Sequence, residues 1–410
     1  MRIAVVGGAP PNREGEAHYT ACVFHALASE FPDAQIQHLA HRQRDCPDAE
    51  YPLPNYTIVR ATEGYHPRRR HLAPLQVIRA LRAYAPEVVH FQAPHKALYG
   101  GLYGEPLLWV FRWLQRRGVP TVVTLHSLWL EDDFLEMAQE RRLSAATLNL
   151  LRVLYRRYHL RLFTLASQVN ALVAGDANPL IGEFQAHWQF ERFTLVNEAH
   201  PCEPRYYSVE HQRQAKTALG LGDKRLVLAF GFVRPDKGFH YLMDAVHALL
   251  PTLPDLQLII AGEPRGAQGE AYAQQLRARH AQMGCPTQIT LALNYLPDTR
   301  LELLLTAADV LVVPYTRVMG ASGPVHHALS FGKPVVATAL GQNRGLAEVC
   351  WLAPPQNSDA LAQAIQQLLT DETAWGDYHR HAQSYAATHT WRHLATHYYR
   401  DYQRLLGRTP

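Results

Sequence analysis

The sequence predicts an α/β protein built of two doubly wound domains that face each other across a cleft. Three observations predict it. The chain has 410 residues, too many for one ordinary core and enough for two domains of about 200 residues each. Short, wholly apolar runs alternate with helical patterns, as expected for parallel strands covered by helices on both faces. The alternation also starts afresh half-way along, after a polar stretch with two prolines, Asn197–Pro204.

Taken in order, Ile3–Val6 reads as a buried strand running into Gly7-Gly8, and Tyr19–Glu30 as a helix. Val88–Phe91 and Val119–Leu125 are further strands, each preceded by a helical segment, and Leu172–Ala174 and Phe193–Val196 complete the first half. The second half offers five strands, Leu226–Phe230, Leu256–Ala261, Ile289–Leu293, Val310–Val313 and Pro334–Ala337. Helical patterns lie between them at Phe239–Leu250, Ala271–Met283, Thr299–Ala308 and Pro324–Phe331. The domains are therefore drawn at 1–198 and 205–389. Trp391–Leu406 is a long terminal helix with Leu394, Tyr398 and Leu405 on one face.

Composition narrows the function classes. With 47% hydrophobic and 19% charged residues the chain is globular. Its five cysteines are scattered, with no C-x-x-C pair, which argues against a zinc site or a disulfide framework and for a reducing compartment. The start of the sequence is too short in apolar residues for a signal-peptide core, and no apolar run reaches about 18 residues, so a cytoplasmic protein is expected. The net charge of +4 is too mild to suggest a nucleic-acid binder. Basic clusters do occur at Arg68–Arg70, Arg116-Arg117, Arg141-Arg142 and along Arg152, Arg156, Arg157 and Arg161. In Arg141–Leu162, the residues Leu148, Leu151, Tyr155 and Leu162 share a face, read either as packing onto the first domain or as a peripheral contact with a membrane. His389, His393 and His397 recur every four residues along the last helical segment, but three stacked turns are too extended for one ion, and no metal site is read there.

In open parallel sheets ligands gather outside the carboxyl ends of the strands. After Leu226–Phe230 comes Gly231-Phe232-Val233-Arg234-Pro235-Asp236-Lys237-Gly238, two cations on a glycine-bounded loop before a helix, suited to a diphosphate. After Val310–Val313 comes Met319-Gly320-Ala321-Ser322-Gly323-Pro324, with Ser322 as a helix cap and Pro324 in the first turn, a second helix N-terminus for phosphate. His126 follows Val119–Leu125 at a strand end. The glycines Gly7, Gly8 and Gly15 do not have the G-x-G-x-x-G spacing, so a dehydrogenase lacks its main support.

The run Leu228–Gly238, followed by Ala308–Tyr315, Ser322-Gly323 and Phe331–Thr338, resembles the retaining family-4 glycosyltransferases of the GT-B architecture, with ordering and spacing in agreement over Leu226–Glu348. Gly7-Gly8, Val89-His90 and Thr124–His126 match more loosely, and the helix around Trp391 resembles the family's closing helix, which assigns 390–410 to the first domain. The resemblance implies two Rossmann-like domains and a hexosyltransferase that uses a UDP or GDP sugar as substrate, with no resident cofactor and no metal. Arg234 and Lys237 would hold the diphosphate and stabilise the leaving group, with Gly231 beside them, and Ser322 and Gly323 would bind phosphate. Asn294, Tyr295 and Leu296 would border the nucleobase, Glu263 would line the pocket, and His126 would contact the sugar. Gly8, Gly15 and Glu16 would border the acceptor, a glycan, lipid-linked or small molecule. Attack is expected on the front face, the donor phosphate taking the acceptor proton. Where the family commonly has two glutamates with seven residues between them, this chain has Met319 and His327. That departure keeps two other classes open, a catalytically silent nucleotide-sugar or partner-binding relative and a sugar-nucleotide epimerase.

Overall fold

The structure is a computed structural model, and it describes all residues except 13–14, 67, 93–98, 100–103, 177, 285–286, 318–319 and 409–410. The chain divides into two compact units, Met1–Ala199 together with Trp391–Pro410, and His200–Thr390. The first contains β1 (Arg2–Val6), α1 (Gly15–Glu30), β2 (Gln35–His41), β3 (Ala49–Leu53), β4 (Tyr56–Thr62), α2 (Ala73–Tyr84), β5 (Val88–Gln92), α3 (Leu107–Gln115), β6 (Thr121–Leu125), α4 (Glu131–Glu140), α5 (Ala145–Leu165), β7 (Gln168–Val173), α6 (Leu180–Trp188) and β8 (Leu195–Ala199). The second contains α7 (Val209–Ala218), β9 (Arg225–Phe230), α8 (Phe239–Leu249), β10 (Leu256–Ala261), α9 (Gly266–Met283), β11 (Ile289–Ala292), α10 (Asp298–Ala307), β12 (Val310–Val313), α11 (Gly323–Ser330), β13 (Val335–Thr338), β14 (Trp351–Ala353), α12 (Ser358–Thr370) and α13 (Glu372–Thr388). The last helix, α14 (Trp391–Leu405), belongs to the first unit, where it packs along α1.

The first unit holds an 8-stranded sheet in the order β3-β4-β2-β1-β5-β6-β7-β8, and the second a 6-stranded sheet in the order β11-β10-β9-β12-β13-β14. Both are doubly wound, reversing direction between β1 and β5 and between β9 and β12, where a ligand crevice is expected at the carboxyl edge. The central strands β1, β5, β6, β9 and β12 are buried almost throughout because helices cover both faces.

Three strands of the first unit escape the sequence reading. In β2, β3 and β4 polar and apolar residues mix, as in Tyr-Thr-Ile-Val-Arg-Ala-Thr of β4, whose burial alternates residue by residue. The expected all-parallel sheet is corrected at the same place. β3 pairs antiparallel with β4 across the two-residue turn Pro54-Asn55, where Asn55 Nδ2 bonds the carbonyls of Ala28 and Ala34 at 2.9 Å each. The stretch expected as a linker also begins later than 197, since Asn197–Ala199 is the end of β8, paired with Ala171–Val173. The helical row of histidines is broken, because His389 caps α13 and α14 starts only at Trp391.

Two histidines are sealed in the first unit's sheet, His38 on β2 and His90 on β5. Burial pushes the His38 imidazole down to about 4 and that of His90 down to about 3. Above the ordinary value of 6.5 each ring is neutral whether the chain is folded or not. Below it the unfolded chain binds a proton that the folded one refuses, so stability falls with falling pH by about 1.4 kcal/mol per pH unit for each histidine. Urea unfolding of the first unit at pH 7 and pH 5 should therefore show a stability loss that shrinks, by about 1.4 kcal/mol per pH unit for each histidine removed, in His38→Gln and His90→Gln.

Candidate functional site

In the second unit the strand ends are built by backbone approaching backbone. Gly231 and Gly262, which follow β9 and β10, have φ of 129° and 144°, and a Cβ on Gly262 would lie 1.9 Å from the Gly231 carbonyl oxygen. Only glycine fits there. The pairing continues past the strands, Val233 N–H donating to the Glu263 carbonyl at 2.9 Å. A 3₁₀ turn at Pro235–Lys237 follows and closes at Gly238, with φ of 61°, where a Cβ would lie 2.0 Å from the Pro314 carbonyl oxygen. The loop after β9 is thus seated on the loop after β12, and Thr316 N–H donates to the Asp236 carbonyl at 2.9 Å.

That turn presents the two cations. Asp236 gathers both: its Oδ1 accepts from Arg234 Nε at 2.8 Å, and its Oδ2 lies 3.9 Å from Lys237 Nζ. Lys237 Nζ also sits 3.7 Å from the ring centroid of Tyr315, itself buried at the end of the β12 loop. The Arg234 side chain is 42% exposed, so the pair is held from within while facing solvent. Sequence reasoning singled out Arg234 and Lys237 but passed over Asp236 and Tyr315. The signal for Asp236 was its place between the two cations.

Beside this turn begins α11, with Pro324 Cγ 3.6 Å from the position a Gly231 Cβ would take. Ser322 occupies the cap position, but the expected cap bond is corrected: its hydroxyl makes none, and Oγ is buried without a hydrogen-bond partner. By contrast Ser144, Ser208, Asn357 and Asp371 all accept from backbone N–H groups at the starts of α5, α7, α12 and α13. The Ser322 carbonyl accepts from the His326 backbone N–H and, at 2.8 Å, from its Nδ1, and burial pushes that imidazole down to about 4. A side chain on Gly323 would meet nothing within 4 Å. His327, one turn into α11, is exposed and lies edge-on to Phe230 at 6.1 Å between ring centroids. Met319 lies outside the described residues.

Asn294, Tyr295 and Leu296 follow β11, Asn294 and Tyr295 exposed, with Asn294 Nδ2 donating to the Tyr295 carbonyl at 3.1 Å. Glu263 follows β10 and is half-buried. Since the strands run in the order β11-β10-β9-β12, these groups form a row along one edge. Neighbouring strands are about 4.8 Å apart, so the row from β11 to β12 spans roughly 14 Å.

In the first unit the carboxyl edge carries Gly7 and Gly8 after β1, Gln92 at the end of β5 and His126 after β6. A Cβ on Gly7 would lie 2.9 Å from Gln92 Cβ, and one on Gly8 3.3 Å from Ala17 Cβ, so both glycines serve close packing. Gly15 opens α1 with nothing within 4 Å, and Glu16 is half-buried beside it. His126 is held by Gln92, Nε2 to Oε1 at 2.6 Å, and by the edge of the Tyr19 ring at 5.0 Å. Behind them lies Glu198 on β8, 4% exposed. It accepts from the hydroxyls of Tyr19, Tyr398 and Thr124 and from Asn170 Nδ2. Burial pushes its carboxyl up, against the pull of those donors.

Residues 22–181 match the sequence profile described as Glycosyltransferase Family 4, and residues 224–371 the profile described as Glycosyl transferases group 1. The chain belongs to this group of glycosyltransferases. Over 129 residues it is 36% identical to the lipopolysaccharide core biosynthesis mannosyltransferase LpsB of Rhizobium meliloti, covering 31% of this chain and 35% of that one. Over 281 residues it is 29% identical to the D-inositol 3-phosphate glycosyltransferase of Mycobacterium marinum, covering 60% and 58%. The chain thus spans less than two thirds of the length of either relative. Among solved structures it resembles Anabaena HepE in complex with UDP, with a TM-score of 0.71, 15% identity and coverage of 98% and 100%. That likeness establishes the GT-B fold.

The glycines make a stability prediction. Gly262→Ala should destabilise the second unit by more than about 2 kcal/mol. Gly323→Ala, whose methyl meets open space, should leave the thermal unfolding of that unit unchanged or slightly raised. Differential scanning calorimetry of the two variants beside the wild type checks both.

Proposed function

We propose that this glycosyltransferase moves a hexose from a UDP or GDP sugar to a glycan or lipid-linked acceptor, with retention of configuration and without a metal. The observation that carries the reading is the pair Arg234 and Lys237, gathered by Asp236 next to a helix start whose Ser322 hydroxyl is buried and unpartnered. Cleavage of the bond between the sugar and the diphosphate leaves negative charge on the phosphate oxygens. Two fixed cations and the N–H groups at the start of α11 are the groups that stabilise it. The roughly 14 Å row along the strand ends suits an extended nucleoside diphosphate, its base towards Asn294–Leu296 and Glu263 and its phosphates towards Arg234, Lys237, Ser322 and Gly323. His327, exposed over Phe230, is placed to bond a ribose hydroxyl. His126 contacts the sugar, and Gly8, Gly15 and Glu16 border the acceptor. The donor phosphate takes the acceptor's proton as the new glycosidic bond forms on the face the nucleotide leaves. HepE, whose structure holds UDP, and LpsB, named a mannosyltransferase, are consistent with a nucleotide-activated hexose.

A thermal-shift and mass-spectrometric screen against UDP, GDP and ADP sugars tests this reading. One donor should raise the unfolding temperature and release its nucleotide, and Arg234→Ala/Lys237→Ala should weaken its binding at least about 100-fold, or about 2.7 kcal/mol. A shift without released nucleotide would instead mark a silent relative, the outcome favoured if Met319 and His327 cannot replace the usual glutamates. No shift with any donor would overturn the reading.

Peripheral membrane contact is also proposed, on a corrected face. Leu148, Tyr155 and Leu162 are buried against the first unit, so that stripe packs the core. The outer face of α5 instead exposes Leu150 and Val153, each just over half accessible, with Arg157 and Arg161 beyond them. Among the described residues no helix is long and apolar enough to cross a membrane. The protein should float with vesicles containing anionic lipid, and Leu150→Asp/Val153→Asp should remain at the bottom of the gradient.

A further inference from the structure

His126 stands at the end of two contact chains that both start on the last helix. In the first, Tyr402 O–H lies 2.6 Å from Nδ1 of His90, whose Nε2 lies 2.8 Å from Thr124 Oγ1 and 3.4 Å from the amide nitrogen of Gln92. Gln92 then meets His126 through Oε1. In the second, Trp391 packs edge-on against Tyr19 at 5.3 Å, and Tyr398 shares the Glu198 carboxylate with Tyr19, whose ring edges His126. The side chains behind His126 are sealed from water: His90 and Tyr402 are 0% exposed, Tyr398 1%, and Gln92 and Tyr19 2%.

The Gln92 contact has a chemical consequence. An amide oxygen can only accept, so His126 carries a proton on Nε2; in the neutral form of the ring Nδ1 is then the acceptor nitrogen. An acceptor nitrogen suits a sugar hydroxyl, whereas the opposite tautomer would set two acceptors, Nε2 and the Gln92 oxygen, against each other in a dry site. Gln92 in turn is seated closely on Gly7, where a Cβ would lie 2.9 Å from its own Cβ.

We propose that Gln92 is a positioning residue that sets the tautomer and orientation of His126, and that the last helix, through Tyr398 and Tyr402, holds this arrangement in place. The proposal rests on the reading of His126 as the residue that meets the donor sugar. Gln92 touches no substrate; it acts through the imidazole.

Two measurements on the full chain separate the proposal from that reading. The first needs no substrate: in protein labelled with ¹⁵N-histidine, the His126 signals, identified by their loss in His126→Gln, should show the Nε2–H tautomer. Gln92→Leu should change that pattern. Gln92→Glu, which keeps an acceptor and adds a charge, should preserve the tautomer and raise the pH at which His126 titrates. The second is donor turnover by the wild type and the variants. Gln92→Leu should lower kcat at least 10-fold while the thermal shift produced by the nucleotide alone stays as in the wild type, and Gln92→Glu should restore most of the rate. Tyr398→Phe/Tyr402→Phe should move kcat in the same direction as Gln92→Leu. An unchanged tautomer with kcat within twofold in Gln92→Leu would overturn the proposal. So would a loss of kcat accompanied by an equal loss of the nucleotide-induced shift, which would mark general damage to the fold. If the wild type turns over no nucleotide sugar, the functional reading falls, and the tautomer measurement still decides the role of Gln92.

Discussion

The first unit depends on one buried carboxylate. Glu198 sits at the end of β8 with both oxygens occupied, Oε1 by Tyr19 and Tyr398 and Oε2 by Thr124 and Asn170. These four partners come from α1, α14, β6 and β7, and they run along the chain from Tyr19 to Tyr398. A carboxylate taken out of water is costly unless its lone pairs are met, and here every donor that meets them also fixes an element. Removing the acid would strand the tyrosine hydroxyls, the threonine and the asparagine together, each at about 1–3 kcal/mol when left unpaired. The last helix therefore belongs to the first unit for a reason its apolar face alone would not give. Tyr398 brings it to Glu198, and Tyr402 brings it to His90.

The second unit solves the same problem of a precise strand edge in another way. Its loops are held by backbone packed on backbone, Gly262 under Gly231 and Gly238 under Pro314, so that no side chain intervenes between the strand ends and what lies above them. On this rigid floor a single acid, Asp236, spaces two cations. The carboxylate also lowers the cost of holding Arg234 and Lys237 side by side, since like charges so placed repel. A diphosphate arriving there would take over part of that compensation, which is why Asp236 is better placed behind the cations than between them and solvent.

How much of this was legible follows from the physics. The central strands were readable because burial on both faces demands uninterrupted apolar runs, as in Leu226–Phe230 and Val310–Val313. The strands β2, β3 and β4 were not: β4 buries only alternate residues and holds Arg60, β3 at the rim buries none and holds Pro52, and β2 mixes the buried His38 and His41 with its apolar residues. On the site, Arg234, Lys237, Ser322 and His327 were readable from their places after strands and before helices, and the structure lines them along one sheet edge. Gln92 and Glu198 were not. Each is a polar residue inside a strand, and the partners that give it meaning, His126 for Gln92 and Tyr19 and Tyr398 for Glu198, lie too far along the chain for any local pattern to join them. Glu198 was further hidden by falling in a stretch read as a linker.

The two units differ in how freely their residues can be exchanged. A glycine held at φ of 144°, with a carbonyl oxygen 1.9 Å from where its Cβ would be, has no substitute, so the loop it supports keeps its spelling. A carboxylate ringed by hydroxyls has many substitutes. A histidine, a glutamine or a bound water with rearranged donors can close the same network, provided every group remains paired. The first unit can therefore keep its architecture while changing the residues that build it. Changing Tyr19, Gln92 or the last helix would alter the surroundings of His126 without touching Arg234 and Lys237, which lie in the other unit.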